Sequence, residues 1–104
     1  MNQIMGNAVE EVDTIEQARF ERAAEVLKTV AHPVRLRIVE LLEHRERSVT
    51  ELKELLGLTQ PLTSQHLTQM RTRGVLGTRR EGSQVYYSIA NHDVVKVIHC
   101  IRRA

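Results

Sequence analysis

A chain of 104 residues specifies one small domain, and a domain of that size buries only about two-thirds of its unfolded surface on folding, which leaves room for a second copy as partner. The single cysteine, Cys100, excludes an intramolecular disulfide framework and a multi-cysteine zinc site. No apolar run approaches the roughly 18 residues of a membrane span, and the acidic N-terminus lacks the basic-then-apolar signature of a secretory signal, so the expected setting is the cytoplasm, with no membrane partner.

The net charge of +2 conceals an asymmetry. Residues 1–30 carry six acidic against three basic side chains, residues 31–58 five of each, and residues 59–104 seven basic against only Glu81 and Asp93. The basic surface therefore belongs to the second half of the chain.

In chain order, residues 1–13 show no sustained periodicity and are expected as a flexible arm preceding a domain over 14–104. Thr14 with Gln17 three residues on forms a capping-box pattern that predicts a helix start. Ile15, Ala18, Ala23, Leu27, Val30 and Ala31 then recur near helical spacing. The His32-Pro33 pair ends this helix, because the residue before a proline is pushed out of helical geometry. Pro33 also suits the first turn of a second helix over 33–43, with Val34, Ile38, Leu41 and Leu42 on one face.

A charged turn, His44-Arg45-Glu46-Arg47, leads to Ser48-Val49-Thr50-Glu51, a second capping box. This opens a short helix with Leu52, Leu55 and Leu56, closed by Gly57. Leu58 and Thr59 link it tightly to a further helix over 60–73, with Pro61 in its first turn and Gly74 at its end. Two short helices joined by so short a turn make a helix-turn-helix.

Beyond Gly74 the period shifts from 3.6 to about 2. Val75, Leu76 and Thr78, then Val85, Tyr86, Tyr87 and Ile89, are strand formers on either side of a turn over 80–84 that contains Gly82. This reads as a β-hairpin. Asn91 is placed to cap a last helix from His92 to about Arg103, whose Val94, Val95, Val97, Ile98 and Ile101 make a broad apolar surface suited to a dimer partner. The expected fold is mainly α with a small hairpin, about five helices plus a wing, in a winged helix-turn-helix that pairs as a homodimer.

Residues 55–80 contain no Asp or Glu, although the whole chain has 13. A segment that is basic and rich in hydroxyls and amides can approach a phosphate backbone without charge repulsion. Phe20, Tyr86 and Tyr87 are the only aromatic residues of the Phe, Tyr and Trp class, too few for a platform that stacks single-stranded bases. Duplex DNA is the partner this composition favours.

The segments AHPVRLRIVELL, SVTELKELLGLTQPLTSQHLTQMRTRGVL and TRREGSQVYYSI resemble the ArsR/SmtB family of dimeric bacterial repressors, over about residues 20–99. The resemblance implies a homodimer formed through the first and last helices, and base readout at Gln60, Ser64 and Gln65. The residues point the same way. With Thr63, Leu67 and Met70 facing the core, Gln60, Ser64, Gln65, Thr68 and Arg71 are left toward a groove or its edges. Amides can bond an adenine edge bidentately and hydroxyls can reach bases or phosphates, so Thr68 joins the base-reading set. Thr59, Arg71, Arg79, Arg80, Ser83 and Gln84 are expected along the DNA backbone, the last four on the wing, where contacts position rather than specify. Arg73 suits either a phosphate or the helix C-terminal dipole, and His66 is expected as a packed, hydrogen-bonded structural residue.

Metal sensing is a common property of the family that this chain resembles. Its thiolate pair would fall at Ser48 and Thr50, which form no soft-metal bonds, and its last-helix zinc positions would fall at Asn91, Asp93 and Ala104. The expectation is no cofactor and no metal, with His92, Asp93, His99 and Cys100 as the remaining candidates. The leading reading is a sequence-specific repressor on an inverted-repeat operator, and not an enzyme, since no nucleophile, base and orienting group assemble from this inventory. The sequence leaves two alternatives: a metal-, redox- or small-molecule-gated repressor with an interfacial site on the last helix, and a protein-interaction module on a winged-helix fold.

Overall fold

The computed structural model describes residues 3–103, with side chains from residue 14 onward. The elements run α1 (Gln3–Val30), α2 (Pro33–Leu42), β1 (Arg47–Ser48), α3 (Val49–Leu56), α4 (Gln60–Thr72), β2 (Leu76–Glu81), β3 (Gln84–Ile89) and α5 (Asp93–Arg103). This is a winged helix-turn-helix with five helices.

Most boundaries follow the local chemistry. His32 caps α2, its Nδ1 accepting from the Val34 N–H at 3.1 Å, and Pro33 supplies a first-turn residue whose missing N–H costs nothing there. At α3 the capping box is complete. Ser48 Oγ accepts from the Glu51 N–H and the Glu51 carboxylate accepts from the Ser48 N–H, both at 3.2 Å. The Glu51 carboxyl is held below its usual range, chiefly by the hydrogen bond from Arg45 and also by that from the Ser48 N–H.

Gly57 ends α3 at φ +67, in the left-handed region that a side chain would strain. This sharp stop turns the chain into α4 within three residues. At the far end of the domain α5 begins at Asp93, one residue later than expected, with Asn91 Oδ1 accepting from the Asp93 N–H at 3.0 Å.

Two larger differences from the sequence expectation concern the start of α1 and the number of strands. Thr14 does not start the first helix, because α1 spans Gln3–Val30 and Thr14 is an interior position. Glu10, Glu11 and Ala8 upstream are compatible with helix, and a capping-box pattern inside a helical stretch carries no stop signal of its own. The flexible arm expected over residues 1–13 lies outside the residues described with side chains.

The second difference is a third strand. Arg47 and Ser48, expected in a charged turn, pair with Tyr87 and Tyr86, so the antiparallel sheet has the order β1-β3-β2. Arg47 Nε donates to the Leu41 carbonyl at 2.8 Å and anchors this strand to the end of α2. The hairpin is tighter than expected: Glu81 pairs with Gln84 across a two-residue turn with Gly82 at φ +62.

The core is a single cluster beneath the sheet. Ile38, Val39 and Leu42 of α2 meet Leu52 of α3, Leu67 and Met70 of α4, Leu76, Tyr87 and Ile89 of the hairpin, and Val94 and Ile98 of α5. A polar clasp adds to the contact between α5 and α2. The Glu43 carboxylate bonds His99 Nε2 at 2.7 Å and Arg102 Nη2 at 2.8 Å. These bonds, that of His99 first, hold the Glu43 carboxyl below its usual range.

The outer faces of α1 and α5 are left uncovered. Ile15 is 68%, Phe20 61%, Leu27 51% and Ile101 50% exposed. Large apolar side chains left exposed on two helices of a small domain suit an interaction surface.

Candidate nucleic-acid interface

Helix α4 is locked in rotation by four buried side chains, Thr63, His66, Leu67 and Met70. At about 100° per residue, this places Pro61, Gln65, Thr68 and Thr72 directly opposite the core. Gln60, Ser64 and Arg71 form one shoulder and Leu62, Gln69 and Arg73 the other. All of these are exposed except Ser64, which is half-buried. The structure thus brings Gln60, Ser64, Gln65 and Thr68 to the outer side of one helix. It adds Pro61 and Leu62, which sequence reasoning passed over because an exposed apolar residue in a first turn carries no periodic signal.

The start of α4 is fixed by Thr59. Its hydroxyl accepts from the Leu62 N–H at 3.4 Å, while Thr63 Oγ1 donates to the Thr59 carbonyl at 2.8 Å. A helix N-terminus so capped presents its partial positive charge outward. No acidic residue lies in the first turn.

The wing separates two arginines that the sequence treats as a pair. Neighbouring strand residues point to opposite faces. Arg79 pairs across the strand with Tyr86, and Arg80 with Val85. On its face Arg79 is fully engaged: Nε lies 3.1 Å from Glu46 Oε1, Nη1 lies 3.1 Å from Glu81 Oε2, and the guanidinium sits 4.9 Å above the Tyr86 ring. Two carboxylates drive its pKa upward, and its hydrogen bonds hold the Glu46 carboxyl below the usual range.

Arg80, on the face of Leu76 and Thr78, makes no ion pair among the described residues and is exposed. Ser83 and Gln84, at the tip, are exposed as well. Glu46 lies 33 residues from Arg79, and no local pattern in the sequence announces that contact.

A similar sorting applies at the C-terminal end of α4. Arg73 pairs with Glu25 of α1 at 2.6 Å, so its charge is matched within the protein. Arg71 is exposed and forms no ion pair among the described residues. Among the described residues of α4 and the wing, Arg71 and Arg80 are therefore the arginines without an ion pair, while Arg73 and Arg79 are matched.

The four metal candidates do not converge. Asp93 pairs with Lys96 at 3.5 Å, His99 is turned toward Glu43, and His92 and Cys100 are exposed. Among the described residues no group of three or more His, Cys, Asp or Glu is arranged to hold a metal ion. No helix among them is long and apolar enough to cross a membrane.

Comparison with known proteins gives a consistent picture. A family model described as "Bacterial regulatory protein, arsR family" matches residues 32–76. The transcriptional repressor PagR of Bacillus anthracis is 47% identical over 85 residues, spanning 81% of this chain and 85% of that protein. HlyU from Vibrio cholerae superposes with a TM-score of 0.76 at 35% identity, covering 82% of this chain and 92% of that one. The homodimeric winged helix-turn-helix DNA-binding domain of Mb0332 from Mycobacterium bovis does so with a TM-score of 0.74 at 31% identity, covering 84% and 81%.

Proposed function

Since the chain belongs to the arsR family of bacterial regulatory proteins, we propose that this transcriptional regulator is a cytoplasmic homodimeric repressor that reads an inverted-repeat operator in duplex DNA. The observation that carries this reading is the outer face of α4, polar, free of carboxylates and fixed in rotation by Thr63, His66, Leu67 and Met70 on the opposite side. A helix so presented fits the major groove, where base edges offer distinguishable donor and acceptor patterns.

Gln65 has the central place on that face and is the first base-reading residue, with Gln60, Ser64 and Thr68 around it. Thr59 at the helix start, Arg71 at its end, and Arg80, Ser83 and Gln84 on the wing make backbone contacts. Arg79 supports the wing from its other face, its charge already matched by Glu46 and Glu81. The exposed apolar faces of α1 and α5 provide the dimer contact, and a two-fold pair then offers two copies of α4 to half-sites roughly 34 Å apart.

The test is Gln65→Ala. It should lose about 1–3 kcal/mol of discrimination at the base pairs Gln65 contacts, while binding to scrambled duplex stays at the wild-type level. Competition binding against a set of single-base operator variants measures both. Unchanged base preference would remove Gln65 from the readout set. Equal losses on operator and scrambled DNA would make it a backbone contact instead.

A further inference from the structure

Three elements meet at one guanidinium. Arg35, in the first turn of α2, donates from Nη1 to the Thr29 carbonyl at 3.1 Å, from Nε to His66 Nδ1 at 3.1 Å and from Nη2 to Gln69 Oε1 at 2.9 Å. Thr29 lies in the last turn of α1, where carbonyls have no partner within the helix. His66 and Gln69 stand three residues apart on α4. Arg35 thus ties the end of α1 to the helix that carries the base-reading residues.

The chemistry of this tie restricts the protonation of His66. Guanidinium has donors and no acceptor and stays charged in proteins. Its bond to Nδ1 therefore requires a bare lone pair there, which makes His66 a neutral imidazole with its hydrogen on Nε2. An imidazolium carries a hydrogen on both nitrogens and cannot accept from Arg35.

The surroundings also oppose the charge. His66 is only 8% exposed, and its pKa is pushed below 6.5 by burial first, then by His32 and Arg35. His32, on the link between α1 and α2, has its ring 4.7 Å from that of His66, and its own Nδ1 accepts from the Val34 N–H. The adjoining polar cavity is lined by Glu25 and Lys28 of α1, Arg35, and Gln69 and Arg73 of α4. Its carboxylate, Glu25, is already paired with Arg73. Among the described residues no carboxylate is bonded to the His66 ring to stabilise an imidazolium.

We propose that Arg35 is a positioning residue for the recognition helix, holding α4 to the end of α1 through His66 and Gln69, and that protonation of His66 releases this hold and weakens operator binding. The proposal rests on the reading of α4 as the DNA-contacting helix. If α1 also carries the dimer contact, the same tie sets the spacing between the two copies of α4.

The sign follows from linkage. A histidine whose pKa is depressed in the folded state contributes stability that is present above the unfolded value of 6.5 and is lost as pH falls through that value toward the lower folded one. Operator affinity that depends on the tie falls in the same direction, by up to about tenfold per pH unit for each protomer. Added positive charge on the other histidines acts oppositely, since it strengthens attraction to phosphate. A variant that cannot titrate at residue 66 separates this loss from the protonation of the other histidines, His32 with its bond from the Val34 N–H included.

The experiment pairs nitrogen-15 NMR of the histidine rings in the full chain with operator and scrambled-duplex binding at about pH 7.5 and about pH 5.5. The wild-type His66 ring should show an unprotonated Nδ1 at the higher pH, and operator preference should drop at the lower one. His66→Asn, whose side-chain oxygen can accept from Arg35 but does not titrate, should keep operator binding and lose the acid sensitivity. Arg35→Lys keeps the charge but not the three-way geometry, and should lower operator preference while leaving the salt dependence as in the wild type.

A hydrogen on His66 Nδ1 in the neutral wild type would overturn the proposal, as would unchanged acid sensitivity in His66→Asn. A wild type with the expected ring form but no preference for operator at either pH would defeat the DNA reading of α4, and with it the operator half of the proposal. A protonated Nδ1 together with intact operator preference would defeat the tie alone.

Discussion

Leu67→Ala should lower the stability of the domain by about 2–5 kcal/mol, the largest effect expected of any single truncation within α4. Leu67 is wholly buried and packs with Ile38, Leu52 and Met70 in the central cluster. Its removal sacrifices the transfer free energy of the lost carbons and leaves a cavity that its close-packed surroundings can only partly close. The same residue fixes the rotation of α4, so the variant should also lose operator preference at temperatures where it remains folded. Urea titration measures the first effect and competition binding at low temperature the second. A loss below about 1 kcal/mol would mean that α4 is packed less tightly than its burial implies.

The second large effect is expected at the wing. Arg80→Ala should weaken binding to operator and scrambled duplex alike, and should flatten the dependence of log K on log salt by about 0.9 per protomer, about twice that for a dimer. Arg80 is expected to show this because it is exposed and has no carboxylate partner among the described residues, so its charge is available to displace counterions. Arg79 is different. Its guanidinium is already matched by Glu46 and Glu81, and Arg79→Ala should change the salt slope far less. Equal slopes for wild type and Arg80→Ala would remove the wing arginine from the phosphate contacts.

This contrast marks where the sequence is legible and where it is not. Short-range chemistry reads well. Ser48 with Glu51, Gly57, Asn91 and the Gly82 turn each act through neighbours within a few residues, and each appears in the structure in the expected role. The placement of Thr63, Leu67 and Met70 toward the core follows from helical periodicity and is equally direct.

What escapes is set by contacts distant in sequence. Arg47 and Ser48 form a strand because Tyr86 and Tyr87 offer an edge to pair with, while their own neighbours are charged residues typical of a turn. Arg79 and Arg80 look alike until the pleat sends them to opposite faces and Glu46 arrives from 33 residues away. Arg35 belongs by pattern to the polar side of an amphipathic helix, and its partners lie 31 and 34 residues downstream. The start of the first helix escapes for a different, local reason: Thr14 satisfies a capping pattern inside a helix that continues upstream.

The candidate site divides in the same way. Its residue types and their common helix are legible, because an acid-free run with glutamines and hydroxyls at helical spacing is a local feature. The division of labour among its arginines is not. Which cations are matched inside the protein and which remain for a partner depends on carboxylates supplied by α1, the α2–β1 turn and the wing.

The most direct test of the central claim is fluorescence-anisotropy titration of the purified chain against duplex from its own promoter region and against scrambled duplex, at one near-physiological salt concentration. The predicted result is binding to promoter DNA tighter by about a thousandfold or more, with a stoichiometry of two chains per site. Equal affinity for both duplexes across the promoter region would contradict the account.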